Sequence, residues 1–223
     1  LILLISLMTF TFIQPYLPSQ KDPIEVYINQ ETGKQDRNQT PGSEYWFGTN
    51  SIGQDLWARI WSGTRTSLFI GLAVGLWDAF MGILIGSLWG YVRKLDPIIT
   101  EVYNVIHNIP SSIILILASY LLKPSVSTII LAMCLTGWLP TARFIRNQIV
   151  IIRDREFNLA SRCLGTPTGR VITKNLLPQV VSVIMMRVAL AIPLAIGQEV
   201  FLTYIGLGLP LSVPSLGNLI NEG

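Results

Sequence analysis

The run Leu68-Phe-Ile-Gly71-Leu-Ala-Val-Gly75-Leu-Trp-Asp78-Ala79-Phe-Met-Gly82-Ile-Leu-Ile-Gly86-Ser-Leu-Trp-Gly90-Tyr-Val92 decides the fold, because Asp78 is its only charge. It exceeds the roughly 20 mostly apolar residues that cross about 30 Å of hydrocarbon as a helix. Gly71, Gly75, Ala79, Gly82, Gly86 and Gly90 recur every three or four residues and draw a small-residue stripe down one face. Such stripes let backbones approach closely, which predicts tight packing on a second helix; bare backbone lining a pore is the rival use. Outward from this run, Pro97 to Leu122, Ser125 to Ile145 and Val180 to Leu207 read as further spans. Leu1 to Ile13 is shorter and lacks a basic leader region and a small-residue cleavage site, so it reads as the outer part of a helix that starts earlier. The expectation is an all-α polytopic transmembrane helical bundle. It has about five helices and forms one transmembrane domain over residues 1–223.

Composition agrees. Of 223 residues, 50% are hydrophobic and 13% charged, against about 25% charged in an ordinary soluble domain, and mean hydropathy is +0.50. Two cysteines and one histidine make neither a disulfide framework nor a His/Cys metal cage, so no metal is expected. The net charge of +3 records topology rather than nucleic-acid binding. Between Gln14 and Ser67 six acids face five basic residues, whereas Arg93, Lys94, Arg143, Arg146, Arg153, Arg155, Arg162, Arg170 and Lys174 gather in two later connections with few acids. The positive-inside rule places those connections in the cytoplasm and the loop over residues 14–67 outside. Alternating spans then leave the end of the sequence outside, so a returning sixth helix is expected in the full chain.

Trp46, Phe47, Trp57 and Trp61 crowd the end of the outer loop. Asp55 to Arg65 reads as an interfacial helix with Asp55 paired to Arg59 at i, i+4, or else as a hydrophobic lid on the bundle. Polar groups at membrane depth are unfavourable and need a reason. Asp78, Asn104, His107, Asn108, Arg187 and Glu199 are those groups. Pro110 follows His107 and Asn108 and invites a kink. His107 fits a hydrogen-bonded packing role or a proton relay. Arg187 is near enough to the basic side to reach headgroups. Glu199 lies too far along its helix to pair easily with Arg187, which implies a partner on another helix or a water-filled path. Asn104, His107, Asn108 and Glu199 are therefore the candidates for a polar path or an inter-subunit face.

The most specific stretch is Glu156-Phe-Asn-Leu-Ala-Ser-Arg-Cys-Leu-Gly165-Thr-Pro-Thr-Gly-Arg-Val-Ile-Thr-Lys-Asn-Leu-Leu-Pro178, within a cytoplasmic loop over residues 147–179. Glu156 to Leu164 suits a short helix that Gly165 ends in a left-handed conformation. Thr166-Pro167 then offers an N-cap with Pro at the first helical position. Two short helices at a fixed corner make a rigid knob, whereas a solvated amphipathic loop makes none.

This stretch resembles the EAA pattern of permease subunits of ATP-binding-cassette importers: E-A-A, three residues, G, nine residues, I, one residue, L-P. Ala160, Gly165, Leu177 and Pro178 match, while Leu159, Ser161 and Asn175 replace the acid, the last alanine and the isoleucine. Phe47-Gly-Thr-Asn-Ser-Ile-Gly-Gln-Asp55, Ser62-Gly-Thr-Arg-Thr-Ser-Leu68, Glu199-Val-Phe-Leu-Thr-Tyr-Ile-Gly-Leu-Gly208 and Pro214-Ser-Leu-Gly-Asn218 are similar to motifs of the dipeptide, oligopeptide and nickel permeases of the "C" type. Asn104 stands where that group commonly has an acid.

The resemblance implies a type I importer permease of the bacterial inner membrane, most simply for oligopeptides. Leu159, Ala160, Ser161, Leu164, Gly165, Thr166, Leu177 and Pro178 would couple it to an ATPase. It further implies a homologous second permease, two cytoplasmic ATPases that bind ATP and Mg, an extracytoplasmic binding protein and a surrounding bilayer. No Walker loop is present: Gly33-Lys34 runs into Gln35, and Gly165 to Arg170 has no lysine. No Ser/His/Asp, zinc or paired-acid constellation is present either, so the chain is not expected to be an enzyme or to hold a cofactor. A self-sufficient channel or ion-coupled secondary transporter is the alternative; such transporters usually show internal repeats and paired broken helices, and this sequence has no repeat.

The charge asymmetry places Cys163 in the cytoplasm and Cys134 within the bilayer. A membrane-impermeant thiol reagent should label neither in intact cells and should reach Cys163 after permeabilisation. Labelling of Cys163 in intact cells would invert the topology.

Overall fold

The computed structural model describes residues 2–17, 20–29 and 33–222. Among these described residues ten α-helices follow in order: α1 (Ile2–Ile13), α2 (Leu56–Tyr91), α3 (Asp96–His107), α4 (Ser111–Leu121), α5 (Val126–Thr136), α6 (Trp138–Ile152), α7 (Glu156–Cys163), α8 (Thr168–Arg170), α9 (Leu177–Tyr204) and α10 (Leu216–Glu222). A π-helical turn, Val171–Leu176, joins α8 to α9. Among the described residues extended pairing is limited to two isolated bridges, Ile28 with Gln35 and Thr49 with Asp55. Three helical stretches are long and apolar enough to cross a membrane, Leu56–Tyr91, Val126–Ile152 and Thr168–Tyr204. The pair α3 and α4, bent by 66°, is apolar enough to count as a fourth if the two are one broken span. The all-α polytopic membrane architecture expected from the sequence is the one that folds.

Several boundaries differ from the sequence reading, each for a local reason. No separate interfacial helix covers Asp55 to Arg65, because α2 runs unbroken for 36 residues, about 54 Å. Asp55 does not pair with Arg59. It is the N-cap of α2, where Oδ2 accepts the Ala58 N–H at 2.9 Å and satisfies one of the orphan donors of the first turn. Arg59 instead reaches Glu222 at 2.6 Å.

The Pro97 span breaks at Pro110, whose extended backbone (φ −55°, ψ 126°) restarts the chain as α4. Pro193 sits inside α9 without ending it. The Ser125 span continues past Ile145 to Ile152, and the Val180 span begins at Thr168. The extra length is helix within the basic connection itself.

The π turn has a covalent cause. Pro178 has no N–H to give to the carbonyl four residues back, and its ring would clash there, so the preceding turn widens. The Leu177 N–H accordingly bonds the Ile172 carbonyl, five residues back.

Contacts divide the chain into two units. The larger comprises Gly71–Leu122 and Ser127–Ala195. In it Ile145, Ile149, Ile152, Val171, Ile172, Leu176, Val180 and Ile184 form one buried cluster, against which Ile83 and Tyr91 of α2 pack. Trp89, Tyr103, Leu139 and Ala142 form a second. The small-residue stripe is what lets α2 sit on α6. A β-carbon on Gly86 would lie 3.0 Å from Ala142 Cα and from Ile145 Cβ, and one on Gly90 would lie 2.8 Å from Ile149 Cβ. Farther up, Gly75 faces Ile192 of α9.

The other unit holds the residues up to Ile70, Lys123–Val126 and the stretch from Ile196 on. Here Trp57 is the hub of an aromatic cluster, with ring centroids 6.2 Å from Phe10, 5.0 Å from Trp46, 4.9 Å from Phe47 and 5.5 Å from Trp61. The rings pack on one another. Arg59, fully buried, donates to Gln54 at 2.6 Å and to the Pro23 carbonyl at 3.3 Å as well as to Glu222, so one guanidinium ties the polar segment to α10.

Gly86→Ala should lower the thermal midpoint of the purified protein, because overpacking a close backbone contact costs about 1–3 kcal/mol. Gly197→Ala is its control: a methyl there meets open space, and the gain in helix propensity is up to about 1 kcal/mol. Equal midpoints for the two variants would show that the stripe does not carry the packing.

Candidate functional site

The knob on the basic connection is built from local rules. α7 ends at Cys163 with Leu164 as its C-cap, and Gly165 takes φ +74°. The Gly165 N–H bonds the Arg162 carbonyl at 2.9 Å and the Thr166 N–H bonds the Ser161 carbonyl at 3.1 Å. This pair of bonds is the Schellman closure, which satisfies carbonyls the helix end leaves open. The next helix is capped by Pro167, in an extended conformation, and begins at Thr168, one residue later than the Thr166 cap expected from the sequence.

The corner is clamped to its base. Arg162 lies over the Tyr91 ring at 4.9 Å and donates to the Arg153 carbonyl at 3.1 Å, and Arg153 donates to the Gly90 carbonyl at 2.7 Å. Asp154 collects Arg93 at 3.0 Å, Arg153 at 3.2 Å and Arg162 at 3.6 Å. Burial pushes the Asp154 carboxyl up, but hydrogen bonds from Arg93 and Arg153 outweigh it and hold the group below its ordinary value. Asn158, wholly buried, donates to the Ile152 carbonyl at 2.9 Å.

Among the side chains the knob presents outward are apolar ones, beside the exposed Arg155, Glu156 and Arg170. Leu164 is 86% exposed, with Leu159 and Phe157 also exposed beside it. Ala160 and Gly165 lie on the surface, while Ser161 and Thr166 are half-buried. Leu177 packs on the core cluster, and Pro178 follows the π turn. Ser161 and Asn175 bond each other, Nδ2 to Oγ at 3.0 Å. Both are departures from the EAA pattern, and here a hydrogen bond joins them.

At the bend between α3 and α4, Asn104, His107 and Asn108 come together, all exposed. His107 stacks on Tyr103 with centroids 4.8 Å apart, and the Arg143 guanidinium lies 4.6 Å over the same ring. A cavity of about 310 Å³ opens beside them, lined by His107, Pro110, Ser111, Ser112 and Pro140 among others.

Glu199 belongs to the other unit and is 0% exposed. Ser67 and Thr203 each donate a hydroxyl to its carboxylate at 3.2 Å. Ser67 Oγ in turn accepts the Leu216 N–H at 3.1 Å, and a β-carbon on Gly217 would lie 2.8 Å from Glu199 Oε1. The carboxylate therefore fills a polar cage that joins α2, α9 and α10.

Residues 82–223, from the middle of α2 through the knob to α10, match the family described as the binding-protein-dependent transport system inner membrane component. The chain belongs to this family. It is 43% identical over 182 residues to the oligopeptide transport system permease protein AmiD of Streptococcus pneumoniae (strain ATCC BAA-255 / R6), covering 82% of this chain and 59% of that protein. Against the dipeptide transport system permease protein DppC of Bacillus subtilis (strain 168) it is 35% identical, with 100% of this chain and 68% of that protein covered. Against the oligopeptide transport system permease protein OppC of the same strain the identity is 34%, with 88% and 65% covered. The chain thus spans between 59% and 68% of the length of these relatives.

Seen as a member of this inner-membrane family, the chain places its family-like motifs on three structural tasks: the knob, the Glu199 cage and the N-cap of α2. Sequence reasoning missed the residues that fix the knob, namely Arg153, Asp154, Asn158 and Arg162. Their one signal was their density of charge and amide next to Gly165. The partners lie far along the chain at Gly90, Tyr91 and Arg93.

Glu199→Ala should destabilise the purified protein by about 1–3 kcal/mol, since it leaves the Ser67 and Thr203 hydroxyls buried without an acceptor. Glu25→Ala, on an exposed loop residue, should stay within about 0.5 kcal/mol. Thermal unfolding in detergent reads the difference, and equal midpoints would remove any special standing of the cage.

Proposed function

We propose that the chain is a transmembrane permease subunit of an ATP-driven importer of oligopeptides. With a homologous second permease it forms the translocation path, and it couples that path to two cytoplasmic ATPases through the knob at Gly165. An extracytoplasmic binding protein delivers the peptide, and ATP with Mg is bound and hydrolysed in the partner subunits, so this chain itself carries out no chemistry. Asn104, His107 and Asn108, with the cavity at the bend, are the candidates for lining the path.

The observation that carries this reading is mechanical. An exposed apolar tip, Leu164, sits on a corner locked by the Schellman bonds and the Asp154 cluster, and that corner opens directly into the 37-residue helix Thr168–Tyr204. A push on such a tip reaches the membrane without being dissipated in a loose loop. Membership of the family and the peptide-transport names of the relatives favour peptides as cargo, as does the long polar segment before α2.

Gly165→Val tests the corner. A β-carbon at Gly165 meets open space, so the substitution opposes only the left-handed backbone, by about 1–2 kcal/mol. The protein should reach the membrane in normal amount, copurify poorly with its ATPase and lose substrate-stimulated ATP hydrolysis. Leu164→Asp should act alike with even less effect on folding. Full uptake and retained ATPase binding by both variants would show the segment to be only a solvated loop.

A further inference from the structure

Asp78 is a buried charge that no part of the preceding account uses. It is 7% exposed, and its Oδ1 has no hydrogen-bond partner. It lies where α5 gives way to α6: a β-carbon on Gly137 would fall 2.8 Å from both carboxylate oxygens. That backbone offers no donor, since the Gly137 N–H is committed to the Met133 carbonyl at 2.9 Å. The neighbouring Trp77 is held to the same break, its indole donating to the Cys134 carbonyl at 3.0 Å.

The one basic residue of α9 is Arg187. Arg187 is half-buried, and among the described residues it makes no ion pair. The helices nevertheless bring the two to one level. Gly75 faces Ile192, where a β-carbon would lie 3.2 Å from Cγ1. Farther along α2, Ile83 and Tyr91 pack on the cluster that includes Val171, Leu176, Val180 and Ile184, and Tyr91 lies under Arg162, just before the helix Thr168–Tyr204 begins, so α2 and α9 are antiparallel. Asp78 is three residues beyond Gly75 and Arg187 five before Ile192, about 4.5 and 7.5 Å along their axes.

A buried carboxylate oxygen without a partner calls for an explanation, and ionisable groups inside a membrane characteristically pair with one another. We propose that Asp78 and Arg187 are the two halves of an intramembrane ion pair that is open in this conformation and closes in the other state of the transport cycle. Its closure would fasten α9 to α2 after the knob has moved. Arg187 rides on the same continuous helix, Thr168–Tyr204, that begins at the knob, so a displacement there is delivered to it directly. Both residues act as positioning groups, and the inference rests on the coupling role proposed above.

The test uses the assembled importer in proteoliposomes, with Cys134→Ala and Cys163→Ala as background. Asp78→Cys with Arg187→Cys, treated with a short bifunctional thiol crosslinker, should crosslink several-fold more in the vanadate-trapped complex than without nucleotide. Asp78→Asn and Arg187→Gln should each lower peptide uptake about ten-fold while ATP hydrolysis continues. The double neutral variant should be no worse than either single one, the signature of a coupled pair, and the exchange Asp78→Arg/Arg187→Asp should recover part of the uptake. Equal crosslinking in the two states, or wild-type uptake by Asp78→Asn, overturns the ion pair while leaving the permease assignment intact. Purification of an active transporter that contains no ATPase overturns that assignment, and the ion pair with it.

Discussion

The close approach of α2 to α6 at Gly82, Gly86 and Gly90 is the contact on which the larger unit depends. Lipid tails are as apolar as leucine, so burying side chains gives helices little reason to associate within a bilayer; contact has to come from packing density and from polar bonds. Glycine supplies the density by removing the side chain between two backbones. At Gly90 the spacing does more than pack. It leaves the Gly90 carbonyl open to Arg153 and sets Tyr91 beneath Arg162. The base of the knob is therefore an extension of the glycine stripe.

Stiffness is the second consequence. The knob makes few contacts of its own, and its shape is held by hydrogen bonds from helix ends and by charges gathered on Asp154. Each exposed ion pair contributes little alone, with a typical value of about 0–1 kcal/mol. Three arginines converging on one carboxylate, with Arg153 and Arg162 also committed to backbone carbonyls, fix a geometry rather than add much stability. Leu164 can then remain exposed without destabilising the fold, because nothing inside the chain relies on it.

The polar residues within the spans divide by how they are satisfied. Glu199 is enclosed by two hydroxyls and fills its cage, so its charge is solvated by protein. Asp78 is also buried but lacks a donor at Oδ1. Asn104, His107 and Asn108 lie on an open surface beside the bend, where the chain has lost its helical bonds at Pro110. Burial, bonding and exposure are thus distributed over three places in the fold, each suited to a different task.

The sequence determined the helices, because a long apolar run can satisfy its backbone in hydrocarbon only by coiling. It also determined the knob's corner, since only the Gly165 conformation and the flanking spacing are needed to close a Schellman turn. These are local facts, legible within a few residues. Tertiary structure decided what depends on distant partners: that Arg59 leaves Asp55 for Glu222, that Ser161 finds Asn175, that Glu199 is met by Ser67, and that half-buried Leu177 packs against the core cluster. It also decided that Pro110 breaks its span while Pro193 does not. The partners in these pairs approach one another only after helices pack, and their choice turns on which buried group would otherwise go unsatisfied, a quantity that no window of sequence contains.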